Sequence, residues 1–141
     1  MATSPLALAV NEGRLVELRG EGHLSLSEFN AFRTHFTDTL VKLGRRVVII
    51  ADLRRLKVSD PAVYDSLGRL MKMDSPLVER FSYLLEPGSL LAVNIARVIQ
   101  EVGNPVRKIC STPSEALDWV TGFIDDKEKA RLTQFLSRSE G

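Results

Sequence analysis

Asp52 and Asp60 are the acidic pair best placed to do chemistry, because they bracket the stretch that follows the apolar, β-branched run Val47-Val48-Ile49-Ile50-Ala51. Open α/β sheets gather function at the carboxyl ends of such strands. Plainer roles are open to both residues. Asp60 stands before Pro61, the pattern of an N-cap followed by a first-turn proline whose missing N–H costs nothing. Asp52 can end a strand or pair with Arg54, Arg55 or Lys57. With Arg45 and Arg46 ahead of the strand, these three cations form a basic cluster, either a solvated rim or a dock for an acidic partner surface.

Other nucleophile and ligand signatures are missing. His23 and His35 have neither HxH nor HExxH spacing, so no metal is expected. No GxSxG elbow surrounds any serine, and there is no P-loop or GxGxxG loop to hold phosphates, so no cofactor is implied. Gly20 and Gly22 form an isolated GxG that reads as turn chemistry. Cys110 ends an apolar strand, where a thiol is ordinarily a small buried hydrophobe.

Composition narrows the classes further. The 141 residues suit one domain, with a core expected over residues 6–124 and a last helix over 125–138. Nineteen basic against 18 acidic residues leave a net charge of +1, so no whole-molecule field draws nucleic acid or anionic lipid. One cysteine rules out an intrachain disulfide or a CxxC pair and suits a reducing compartment. Met1 to Val10 has neither a basic segment nor a long apolar run, so no secretion signal is expected. No apolar run approaches the ~20 residues that span a bilayer. A cytoplasmic, non-membrane protein is expected.

The elements that must carry these residues follow from periodicity. Leu6, Leu8 and Val10, the turn Asn11-Glu12-Gly13, then Val16 and Leu18 predict a β-hairpin. Ser25-x-x-Glu28 is a capping box. The helix it opens carries Phe29, Phe32, Phe36 and Leu40 on one face and stops at Gly44. Val47–Ala51 predicts a strand covered on both faces, with Asp52 marking its end and a loop from Asp52 to Asp60. A helix from Pro61 buries Val63, Leu67, Leu70, Met71 and Met73 and ends at Ser75-Pro76. A strand over 78–85 and a helix with Leu91, Ile95 and Val98 come next. A strand over 106–110, a helix with Ala116, Leu117, Trp119 and Val120, and a more charged closing helix complete the chain. Met71, Met73, Leu90 and Leu91 suit core packing first, and a ligand pocket or partner groove second. Trp119 reads as an anchor between helix and sheet. The order β-β-α-β-α-β-α-β-α plus a C-terminal helix predicts an α/β fold with a mixed sheet, its later strands parallel.

The segment from Val47 through Ala51-Asp52-Leu53 to Ser59-Asp60 resembles the STAS family, the domain of SpoIIAA-like anti-sigma factor antagonists. In that family an apolar strand ends in Asp-Leu-Ser, and Asp-Ser-Ser-Gly opens the next helix. Asp60 falls on the second aspartate without a gap, and Ala116-Leu117-Asp118-Trp119-Val120 is similar to the final helix of SpoIIAA-like proteins. The resemblance implies a non-enzymatic bacterial signal-transduction module that binds a regulatory protein partner, with a second copy of the chain as another candidate partner. It also implies that a partner kinase phosphorylates the serine after the second aspartate. Here that position is Pro61, which has no hydroxyl, so only Ser59 or Ser66 offers an acceptor nearby. The partner face implied is Asp52, Arg54, Arg55, Lys57, Ser59, Asp60 and Tyr64. The alternative is a SEC14-like binder of a small apolar ligand or lipid, with a cavity beneath the helices that carry Met71 and Leu91.

Overall fold

A computed structural model describes residues 4–138. Five strands pair in sequence order, β1 (Leu6–Glu12), β2 (Leu15–Leu24), β3 (Val47–Val58), β4 (Val78–Leu84) and β5 (Arg107–Cys110). The β1–β2 hairpin is antiparallel and turns at Gly13, whose φ of 51° a side chain would oppose. The remaining neighbours are parallel. The helices are α1 (Leu26–Leu43), α2 (Pro61–Asp74), α3 (Leu90–Val102), α4 (Pro113–Val120) and α5 (Asp126–Arg138). The chain is thus a mixed-sheet α/β fold.

Because each parallel strand is laid beside the last in one direction, the right-handed crossovers put α1, α2 and α3 on the same face. That face holds the larger core, in which Phe29, Phe36, Val63, Met71 and Ile95 pack onto Val16, Ile49, Ala51, Phe81 and Tyr83. The opposite face is covered by α4 and α5, which set Ala116, Val120, Leu132 and Phe135 against Leu15, Val48, Ile50 and Leu84. β3 lies at the centre, and Val47 to Ala51 are all at most 1% exposed. A continuous apolar run therefore suits it, as expected of a strand with helices on both faces.

The capping chemistry expected of the sequence is present. Ser25 and Glu28 close the capping box on α1, and Gly44 ends that helix in the left-handed region. Asp60 caps α2 and Pro61 occupies its first turn. On the other face α5 is tied to the hairpin by Arg131, whose Nε and Nη2 each donate to Glu17 at 2.7 Å. Arg19 reinforces this contact by lying 4.4 Å over the Phe135 ring.

Three expectations need correction. β3 does not end at Asp52 but continues to Val58, and β2 runs on to Leu24 to pair with it. The reason lies in Gly20: a Cβ there would sit 2.9 Å from Leu53, so the absent side chain makes room for Leu53 and Leu56 to pack against β2. The register slips between Arg19 and Glu21, opposite Asp52 and Arg55, with the extra residue in β3. Gly20 and Gly22 are accordingly within a strand rather than a turn. Met73 is 57% exposed, on the outer side of α2, whereas Met71 is in the core. No helix among the described residues is long and apolar enough to cross a membrane.

Candidate functional site

The carboxyl end of the sheet is where side chains remain uncommitted. Beyond Asp52, which is opposite Leu84, β4 leaves the sheet through Leu85 to Gly88 towards α3, while β2 and β3 go on together. The result is a two-stranded ribbon, Glu21–Leu24 against Arg55–Val58. Leu24, Leu56 and Val58 turn to the core of α1–α3. By strand alternation, His23, Arg55 and Lys57 take the other face, which α4 and α5 do not reach, and all three are exposed.

The expected partner face divides in two. Arg55, Lys57, Ser59 and Asp60 are exposed on the ribbon and at the start of α2. Arg55 is 3.4 Å from Glu21, a pairing open to solvent on both sides. The Asp60 side chain accepts from the Ala62 N–H at 2.9 Å, so this carboxylate is a helix cap at the surface. Asp52 is instead buried. It accepts from Arg54 Nε at 3.0 Å and Nη2 at 3.1 Å, with Arg19 at 3.7 Å. Arg54 is correspondingly turned inward, its side chain 18% exposed. Tyr64 is also buried, its hydroxyl beside Asn94 without closing a hydrogen bond, and burial raises its pKa. Neither Asp52 nor Tyr64 shares the exposed face expected of them.

The two serines part in the same way. Ser59 is exposed one residue before the cap. Ser66 has no accessible surface, and its hydroxyl donates to Asn30 Oδ1 at 3.0 Å between α2 and α1. A kinase cannot reach it in the folded chain, which is the correction that packing imposes on Ser66 as an acceptor.

Between the outer edge of β3 and the first turn of α3 is a groove of about 420 Å³. Leu53, Leu56, Lys57 and Ser59 line one side, Glu86, Ser89 and Leu90 the other, and His23 reaches its rim. Ser89 caps α3 by accepting from Ala92 N–H. Leu90 and Val93 follow at 70% and 60% exposure, an apolar pair on the outer side of that helix. His23, Glu86 and Val93 were not among the residues expected here. A strict alternation count carried past Gly20 would have placed His23 on the face of Glu17 and Arg19, away from Val16 and Leu18.

The chemistry elsewhere is structural. Cys110 is fully buried with Sγ 3.3 Å from Ser82 Oγ, and burial pushes its thiol pKa up, away from the thiolate that a nucleophile needs. Trp119 donates Nε1–H to the Val106 carbonyl at 3.1 Å, anchoring α4 beside β5. At the amino end of the sheet Arg107 donates to Asp74 and, at 2.8 Å, to the Tyr83 hydroxyl. Burial lifts Asp74 to about 6 despite this partner, and lifts Tyr83 as well. Next to this cluster, under α1–α3, is an apolar cavity of about 60 Å³ lined by residues that include Phe36, Met71 and Leu91.

No protein-family model and no curated protein matches the chain. Solved structures do. A protein of the DUF3478 family with a SpoIIAA-like fold, from Shewanella loihica PV-4, superposes with a TM-score of 0.60 at 18% identity, covering 84% of this chain and 98% of that one. The chain has a SpoIIAA-like fold. The Bacillus cell fate determinant SpoIIAA, in its phosphorylated form, gives 0.53 at 23% identity over 82% of this chain and 98% of its own. The anti-sigma factor antagonist SpoIIAA in its unphosphorylated form gives 0.51 at 20% identity over 85% and 99%.

Proposed function

We propose that this chain is a regulatory protein-binding module of the SpoIIAA-like type, non-enzymatic and cytoplasmic, whose partner face is the ribbon end of β3 and the start of α2. The observation that carries this reading is the concentration of exposed polar side chains there (Arg55, Lys57, Ser59 and Asp60), in a fold shared with an anti-sigma factor antagonist. Pro61 stands in the first turn of α2, at the position where the resemblance puts a phosphorylated serine, so recognition proceeds without a phosphate at that position. Ser59 is the acceptor that a kinase would meet on this face.

Affinity capture from the source cell's lysate, comparing the native chain with Arg55→Glu and Asp60→Lys, tests the face. Both variants should lose the specific partner while keeping the native circular dichroism spectrum. Retention of every partner by both would place the interface elsewhere. The second reading, a carrier of an apolar ligand or lipid, draws on the cavity under α2 and α3. Its volume of about 60 Å³ is below the roughly 150 Å³ of an engineered apolar cavity that admits benzene. A lipid chain would have to displace a helix. A ligand retained through purification, seen by native mass spectrometry, would favour the carrier.

A further inference from the structure

The groove at the carboxyl end has an unused sheet edge as one wall. Beyond the Asp52–Leu84 pair, no strand among the described residues is against the β4 side of Leu53–Val58. The register says which peptide groups are left over. Val48 N–H donates to Arg14 O, and Glu21 N–H donates outward to Pro5 O. Alternation from those two bonds turns Gly22 and Leu24 towards β3. Gly22 opposite Leu56 then uses the peptide groups of Arg55 and Lys57, and leaves the N–H and C=O of Leu56 and Val58 facing the groove.

We propose that this edge takes up an extended segment of a partner protein as an added strand on the line that β4 vacates. This deepens the module reading and rests on it. An edge of six residues spans ~20 Å, and main-chain hydrogen bonds along it would supply affinity while alternate side chains supply selectivity. One set of side chains would turn to the α1–α3 side, against Leu53, Leu56 and the first turn of α3 at Leu90 and Leu91, and should be apolar. The other set would turn to the Lys57 side.

Charge selects the chemistry of that second set. On the ribbon and its root, Arg19 and Arg54 are paired with Asp52 and Arg55 with Glu21, whereas Lys57 has no carboxylate within ion-pair distance among the described residues. Acidic residues on the incoming strand would complement it, at positions away from Glu86. A second copy of the same edge is the poorer occupant, because it would set Arg55 and Lys57 of two chains side by side; lysines on exposed edges discourage that pairing. The partner segment is therefore an extended stretch alternating acidic and β-branched apolar residues.

The test uses the full isotope-labelled chain and the peptide acetyl-Glu-Val-Glu-Val-Glu-Val-amide, read by nuclear magnetic resonance. Binding should saturate below about 1 mM, and exchange of the Leu56 and Val58 amides should slow at least about five-fold. N-methylation of alternate peptide bonds, which removes donors but keeps every side chain, should weaken binding about ten-fold. Lys57→Glu, at an exposed position, should weaken it roughly two- to five-fold, and a Lys-Val peptide should bind less tightly than the Glu-Val one. No binding by 2 mM (about the limit for so weak a contact), equal affinity of the N-methylated peptide, or protection confined to other amides would each overturn the edge assignment. Dimerisation through Leu56 and Val58 would overturn the acidic occupant. A captured natural partner that leaves these two amides exchanging as before would remove the added strand while the module reading stands.

Discussion

The two ends of the sheet are built on opposite plans. At the amino end several charged and polar side chains are tied into a network. Arg107 joins Asp74, Tyr83 and the Met71 carbonyl. Arg14 reaches Glu79 and the Phe123 carbonyl, and Glu128 accepts from the N–H of Arg14 and Asp125. Asn104 bridges Ser75 and Val106. At the carboxyl end Lys57, Ser59, Leu90 and Val93 are exposed beside a groove. The comparison teaches that the charged residues most important to stability are those hidden among apolar neighbours, while β3 splits the basic cluster seen in the sequence, with Arg45 and Arg46 before its start, Arg54 turned inward onto Asp52, and only Arg55 and Lys57 exposed on the ribbon. Burial makes the difference, because an ion pair withdrawn from water is costly to break and one left in water is worth little.

The largest expected effect breaks the committed end. Arg107→Ala leaves Asp74 buried without its partner and should cost about 3–5 kcal/mol of unfolding free energy in urea. A loss below 1 kcal/mol would show that this end is no more committed than the other. The next effect concerns pH. Asp74 binds its proton more tightly folded than unfolded, at about 6 against an ordinary 3.8. Its contribution is therefore greatest below the unfolded value and is lost as pH rises through 6. At about 1.4 kcal/mol per pH unit this is at most about 3 kcal/mol between pH 4 and 7. Asp74→Asn should remove that part of the slope; identical slopes in the two proteins would refute the assignment.

The smaller effects belong to the open end. Asp60→Ala removes the cap of α2 and should cost about 1 kcal/mol, measured against Asp60→Asn, which keeps an acceptor. Arg55→Gln and Lys57→Gln should each change stability by no more than about 0.5 kcal/mol. If either proves as costly as Asp60→Ala, the ribbon is structural and the contrast between the ends weakens.

Much of the frame could be read directly from residues. Ser25 with Glu28, Asp60 with Pro61, and the run Val47–Ala51 each act over a few neighbours, through a cap, a fixed φ or an unbroken apolar surface, and each is found where its residues imply. The continuation of β3 through Asp52–Val58 was not legible, because charged residues there resemble a loop and only pairing with β2 across Gly20 makes them a strand. The same holds for Ser66, which local sequence presents as a hydroxyl in a helix and which Asn30 on a different helix conceals.

The sequence by itself determined the order of elements, most of their caps and the greater part of the face that helices such as α1 bury, since these depend on contacts within a few residues. Tertiary structure alone decided which charges are hidden. Asp74 and Arg107 are 33 residues apart in the chain and meet only because α2 is packed against the start of β5. Asp52 and Arg54, by contrast, are close in sequence, yet whether they face water depended on how far β2 accompanies β3. Desolvation is a property of the assembled layers and not of any local run of residues, which is why the ion pairs that matter and the edge left open became visible only in the fold.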